Sequence, residues 1–143
     1  MRKVYVGLLG CGTVGTGVAK ILLEKNELIQ QRVGAELVLK RVAETLKNCV
    51  RESDTVARLS GDEFTLAVEN IIKPEDAVAI AQKILSELSE PIREDGQQIT
   101  ITTSIGISIF PTHGEDEVSL LKKADAAMYQ VKKTSKNNFL FSP

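Results

Sequence analysis

RESDTVARLSGDEFTLAVEN, residues Arg51 to Asn70, is the stretch on which the reading of the whole chain turns. Thr55–Leu59 and Phe64–Val68 are short apolar runs rich in strand-forming residues, and Ser60-Gly61 between them is a hairpin signal. Gly61 supplies a backbone that tolerates positive φ and leaves room for a ligand to come close. Asp62 and Glu63 follow the turn at once. Adjacent acids at a hairpin tip repel unless a cation lies between them, and a hard cation such as Mg²⁺ takes one or two carboxylates together with substrate phosphates. Taken alone, the same residues would also suit a solvated turn.

Further motifs lie on either side. Arg51-Glu52-Ser53-Asp54 precedes the hairpin, Thr102–Pro111 reads TTSIGISIFP, and Ala124–Tyr129 reads ADAAMY with Lys132 shortly after. In this order and spacing, residues 38–143 resemble the diguanylate cyclase (GGDEF) family, with Arg58–Phe64 as its signature and Ser60 in place of the first glycine. That family joins two GTP molecules, one on each half of a domain dimer. The resemblance implies metal binding and activation of the attacking 3′-hydroxyl by Asp62 and Glu63. It implies phosphate contacts from Gly61, Ser60 and Lys132, and from Lys136 where the family often has arginine, so that charge is kept and the bidentate fork is lost. Arg51 and Asp54 match the site at which the product, cyclic di-GMP, inhibits; a plain salt bridge between them is the alternative.

The composition fits one soluble domain: 143 residues, 43% hydrophobic, 26% charged, net charge -1. Near-neutral charge argues against nucleic acid as a partner. Cys11 and Cys49 form neither a disulfide framework nor a metal-binding spacing, and both are expected to be reduced. No apolar run is long enough to span a membrane and the opening is not a signal peptide, so the cytoplasm is the expected compartment. His113 stands alone in a loop and reads as a surface residue.

The opening reads differently. Lys3–Leu9 is an apolar run of strand length, followed by Gly10-Cys11-Gly12-Thr13-Val14-Gly15, a GxGxxG pattern. Val14, Val18, Ile21 and Leu22 recur at helical spacing, which predicts a helix to about Gln30 or Gln31. Residues 1–37 resemble the first βα unit of the dinucleotide-binding domain of homoserine dehydrogenase. Gly10, Gly12 and Gly15 are then candidates for holding an anion at a helix N-terminus. One βα unit without its partners is too little for a whole dinucleotide, so NAD(P) is not expected.

The two resemblances meet in Gly34–Ala43, which fits a strand or a helix. The stripe Val38, Leu39, Val42 and Leu46 favours the helix, with Gly34 separating it from the one before. Beyond the hairpin, Pro74 opens a helix ended by Pro91, Glu94–Gln97 is a turn, and Ile99–Ile109 alternates as a strand. Val118 to about Lys133 is an amphipathic helix and Asn138–Phe141 a last strand. The expected fold is therefore one α/β (α+β) domain over residues 1–143. Its elements run β-α-α-β-β-α-β-α-β, with a central mixed sheet covered by helices and an added short strand near Ile92.

The expectation that follows is a recombined, engineered GGDEF-like domain without efficient catalysis. The family's first strand ends in a metal-binding aspartate, whereas Leu8–Gly12 has no acid, and the guanine-reading aspartate aligns only with Glu36. A working cyclase using Mg²⁺ and GTP is one alternative. A module that binds cyclic di-GMP at Arg51 and Asp54, or an anion at the glycines, is another. A monomer or weak homodimer is expected.

Overall fold

A computed structural model describes residues 3–8, 16–25, 32–60, 62–94, 96–135 and 137–143. The strands are β1 (Lys3–Leu8), β2 (Thr16–Lys25), β3 (Thr55–Ser60), β4 (Asp62–Val68), β5 (Ile92–Glu94), β6 (Gln97–Ile99), β7 (Ile101–Phe110) and β8 (Asn138–Phe141). The helices are α1 (Arg32–Cys49), α2 (Pro74–Ser89) and α3 (Glu117–Thr134). Six strands form a mixed sheet in the order β3-β4-β1-β2-β7-β8, and β5 and β6 form a separate hairpin. The mixed, helix-covered sheet expected from the sequence is the one observed.

β7 organises both layers through its alternation. Its odd positions Ile101, Ile105, Ile107 and Ile109 are buried in the main core with Phe64, Leu66 and Val68 of β4. Val38, Val42 and Leu46 of α1 and Ala77, Ala81, Ile84 and Leu88 of α2 cover them, each set at helical spacing. The even positions Ser104, Gly106 and Ser108 are small. The Ser108 hydroxyl donates to the Leu120 carbonyl at 2.8 Å. A Cβ built on Gly106 would meet the Ala124 carbonyl oxygen, and would lie 2.5 Å from the Met128 nitrogen. Small side chains on this face let α3 pack directly on the strand backbone.

α2 and α3 both carry acids at their starts, where the backbone needs acceptors. The Asp76 carboxylate accepts from the amides of Ile72 (3.0 Å) and Lys73 (3.1 Å) at the start of α2. Asp116 caps α3 by accepting from Ser119 N at 2.8 Å. β7 leaves the sheet through a cis Phe110–Pro111 bond.

Three expectations are corrected. The helix predicted from Val14 to about Gln31 is overturned in its described part: Thr16–Lys25 is strand β2, antiparallel to β1, β4 and β7, and the rest of the prediction lies outside the described residues. Ile21, Leu22 and Leu23 form a run that fits a buried strand as well as a helix, and the slot between β4 and β7 supplies the hydrogen-bond partners that decide it. In the described part of residues 1–37, β1 is therefore followed by a strand where a βα unit has a helix. Gly34 lies inside α1 rather than between two helices, although Gly34–Ala43 is helical as read. Finally, Ile99–Ile109 is divided at Thr100 into β6 and β7, which frees β5 and β6 to pair around the turn containing Gly96 (φ 74°).

Candidate functional site

The signature hairpin is built as the sequence suggested. β3 and β4 pair in register from Thr55↔Ala67 to Arg58↔Phe64, then slip so that Ser60 faces Glu63. The pairing is irregular between Arg58 and Ser60. Alternate β4 residues Phe64, Leu66 and Val68 lie at most 3% exposed, which fixes the register. Glu63 is half-buried, and Asp62 is the first residue of β4. β1 runs parallel beside it, with Val4 opposite Asp62 and Tyr5 opposite Glu63. β1 thus sets an apolar and an aromatic residue beside the signature; residues 9–12, where the resemblance calls for an acid, lie outside the described residues. β2 shares the same slot and carries Glu24, three residues beyond the Ile21↔Phe64 pair toward the hairpin turn and in register with Thr102 of β7. The helical reading of Thr16–Lys25 hid this acid; the signal was Glu24 closing an apolar run.

Lys132 comes to the same end of the sheet. α3 passes Ser108 at Leu120 and Gly106 at Ala124 and Met128, so its C-terminal turn lies toward Ser104. β8 then starts with Asn138 opposite Ser104. Lys132 is half-buried, its ammonium 5.7 Å from the Tyr129 ring centroid in a cation–π contact. Gly61 and Lys136 lie outside the described residues, as do Gly10, Gly12 and Gly15 and the thiol of Cys11.

Arg51 and Asp54 lie at the opposite end of the hairpin. Asp54 Oδ2 accepts from Arg51 N at 2.8 Å, Oδ1 accepts from Glu69 N at 3.0 Å, and Asp54 N donates to Arg51 O at 3.0 Å. The carboxylate thus closes its own turn and ties it to the residue after β4, and the Arg51 side chain is exposed. The simple salt bridge considered from the sequence is replaced by these backbone contacts.

The strand ends flanking the glycine loop are also at this far end: Leu8 pairs with Ile107 and Thr16 with Phe110, while Gly17 faces Val68. The two ends of the hairpin are ~20 Å apart for a six-residue strand. The described flanks, Leu8 and Thr16, thus lie away from Asp62 and Glu63.

Two other residues are settled by packing. His113 is half-buried rather than a plain surface residue, and its Nδ1 accepts from Ile109 N at 2.7 Å. Burial, with the Lys123 charge adding to it, lowers its pKa from the ordinary 6.5. Cys49 is buried and reduced, and burial raises its thiol pKa.

The donor chemistry of Asp62 and Glu63, two successive carboxylates, fits a hard divalent cation. Among the described residues no group of three or more His, Cys, Asp or Glu side chains converges to hold a metal alone. No described helix is long and apolar enough to cross a membrane.

Comparison with known proteins agrees with this geometry. A family described as "Diguanylate cyclase, GGDEF domain" matches residues 26–138. The chain is 40% identical over 106 residues, 74% of its length, to the bifunctional diguanylate cyclase/cyclic di-GMP phosphodiesterase MucR of Pseudomonas aeruginosa, of which it covers 15%. It is 33% identical over 146 residues, 98% of its length, to the cyclic di-GMP phosphodiesterase NbdA of the same organism, of which it covers 18%. It thus spans less than a fifth of either relative. The crystal structure of the GGDEF domain of TpbB from Pseudomonas aeruginosa superposes with a TM-score of 0.79 at 32% identity, covering 89% of this chain and 83% of that one. The dehydrogenase-like opening and a recombined origin find no support in these likenesses.

Proposed function

The chain belongs to the GGDEF family of diguanylate cyclase domains, and from that premise we propose that residues 1–143 act as one guanine-nucleotide domain. It binds GTP at the signature end of the sheet and cyclic di-GMP at the Arg51–Asp54 end, and turns over slowly. The observation that carries this reading is the hairpin itself, with Ser60 facing Glu63 at one end and the Asp54-closed turn at the other.

At the signature end, Asp62 and Glu63 would hold Mg²⁺, which when bound neutralises phosphate charge and lowers the pKa of an attacking hydroxyl. Ser60 and Gly61 would place the triphosphate, with Lys132 and Lys136 as cations toward it. Slow turnover is expected because β1 sets Val4 and Tyr5, not an acid, beside Asp62 and Glu63. Two such domains must meet to join two GTP molecules, so a weak homodimer is the working state. GTP as substrate places that work in the cytoplasm.

Incubation with GTP and Mg²⁺, with cyclic di-GMP read by chromatography, tests the proposal. Slow formation that disappears in Glu63→Ala is the expected result. Product formed equally by Glu63→Ala would remove the reading, and so would a chain that neither turns over GTP nor binds GTP or cyclic di-GMP by calorimetry.

A further inference from the structure

A recess of about 350 Å³ opens at the end of the sheet away from the signature, where Phe110 pairs with Thr16 and Val68 with Gly17. That volume is within the range of small-ligand sites. Three segments frame it, each held by its own hydrogen bonds. On the first, Asp54 Oδ1 accepts from Glu69 N, Asn70 takes a left-handed conformation (φ 58°), and Asp76 Oδ2 accepts from Ile72 N and Lys73 N. Ile71 turns inward at 3% exposed, whereas Ile72 stands at the mouth at 77%. On the second, Ile109 N donates to His113 Nδ1 at 2.7 Å and His113 N donates to Ile109 O at 2.8 Å. The third is the end of β8, where Ser142 N, next to Phe141, donates to Ile107 O at 2.7 Å. The walls are thus set before any ligand enters, and little ordering cost remains. Ile71, Ile109, Phe110 and Phe141 make the lining mainly apolar. The His113 ring, also in the lining, accepts at Nδ1, so its neutral form carries the proton on Nε2 and offers a donor there. Burial and the nearby Lys123 charge favour that neutral form. Lys73, exposed at the mouth, adds a cation. Glu75 and Asp76 follow it but do not line the recess, and Asp76 already accepts from two amides. An apolar cavity with a cation and an N–H among its lining groups suits one anionic acceptor on a compact apolar body.

We propose that this recess binds a small carboxylic acid with an apolar body. Ile71, Ile109, Phe110 and Phe141 receive the hydrocarbon, and Lys73 and the Nε2–H of His113 hold the carboxylate. The site is separate from the signature and shares no residue with Arg51 and Asp54.

The test is titration of the full chain with phenylacetate, followed by amide shifts in nuclear magnetic resonance. One saturable site is expected, with a Kd on the order of 1 mM for a ligand of this size and the largest shifts at Ile72, Lys73 and His113. Phenethylamine, which reverses the charge on the same ring, should bind at least about tenfold more weakly. Lys73→Gln should weaken phenylacetate by about tenfold and leave the neutral phenylacetamide unchanged, a difference that a merely structural lysine would not produce. Thr112→Trp, at an exposed lining position, covers the mouth, leaves Lys73 and His113 in place, and should weaken both ligands. The far-ultraviolet circular dichroism of both variants should match the parent. Glu63→Ala should bind phenylacetate as the parent does, so the result is independent of turnover. No saturable shift, unchanged affinity in both recess variants, or phenethylamine bound as tightly as phenylacetate would overturn the proposal. Displacement of phenylacetate by cyclic di-GMP that Arg51→Ala abolishes would also overturn it, by making the recess part of the product's own seat.

Discussion

Gly106 is the residue on which the contact between α3 and the sheet depends most directly. A methyl group there meets the carbonyl of Ala124 and backbone and side-chain atoms of Met128, none of which is a flexible tip. Gly106→Ala therefore forces α3 off β7. Overpacking of this kind is expected to cost about 1–3 kcal/mol, measured as a lower urea midpoint with an unchanged slope. His113 makes a second prediction. Its Nδ1 must be unprotonated to accept from Ile109 N, and its folded pKa lies below 6.5. The unfolded chain therefore takes up the proton first as pH falls. The contribution is fully present above pH 6.5 and is lost as pH drops from 6.5 through the folded value. Stability of the parent relative to His113→Gln should shrink over that acid window and hold constant above it. Sequence placed His113 in a loop correctly, but the strand-end amide it faces is created only when the chain turns back after Pro111.

At the scale of elements, the sequence was legible wherever period and punctuation agreed. Pro74 and Pro91 bracket α2, β3 ends at Ser60 and pairs with β4 as a hairpin, and Asn138–Phe141 is β8 as read. The failure at Thr16–Lys25 has the opposite cause. Val18, Ile21 and Leu22 satisfy a helical stripe, and no turn residue interrupts them. What makes the segment a strand is non-local: β2 supplies pairing to β4 over Phe64–Val68 and to β7 over Ile101–Ser104, which β1 does not fill alone. The GxGxxG pattern reinforced the error, because its usual context is a strand followed by a helix. The cap of α2 is a case where local chemistry suffices. Asp76 accepts from two amides that α2 cannot satisfy internally, and Asp76→Ala should cost about 1 kcal/mol. Thermal unfolding checks this, and Asp76→Asn should recover part of the loss. The α3 cap works alike: hydrogen bonds from Ser119 hold Asp116 below its ordinary 3.8, so its contribution is present above that pH and lost as acid titrates the folded carboxylate.

For the whole molecule, the proposed function puts two chemistries on one hairpin, held apart by the length of β3 and β4. Motif spacing showed that Arg51–Asp54 and Ser60–Glu63 are neighbours in sequence; only the antiparallel register shows that they occupy opposite ends. It follows that substitutions at the two ends should separate. Glu63→Gln should abolish cyclic di-GMP formation and leave cyclic di-GMP binding intact, because the binding end is ~20 Å away along the strand. Arg51→Ala should do the reverse, removing product binding at little cost in stability, since its guanidinium is exposed. Asp54→Ala should differ from both. Its carboxylate joins Arg51 N to Glu69 N, so its removal unties the base of the hairpin and is expected to cost about 1 kcal/mol as well as the product. Calorimetry with cyclic di-GMP alongside urea unfolding distinguishes the three. If Arg51→Ala and Asp54→Ala unfold alike and both still bind the product, the far end is a structural turn and nothing more.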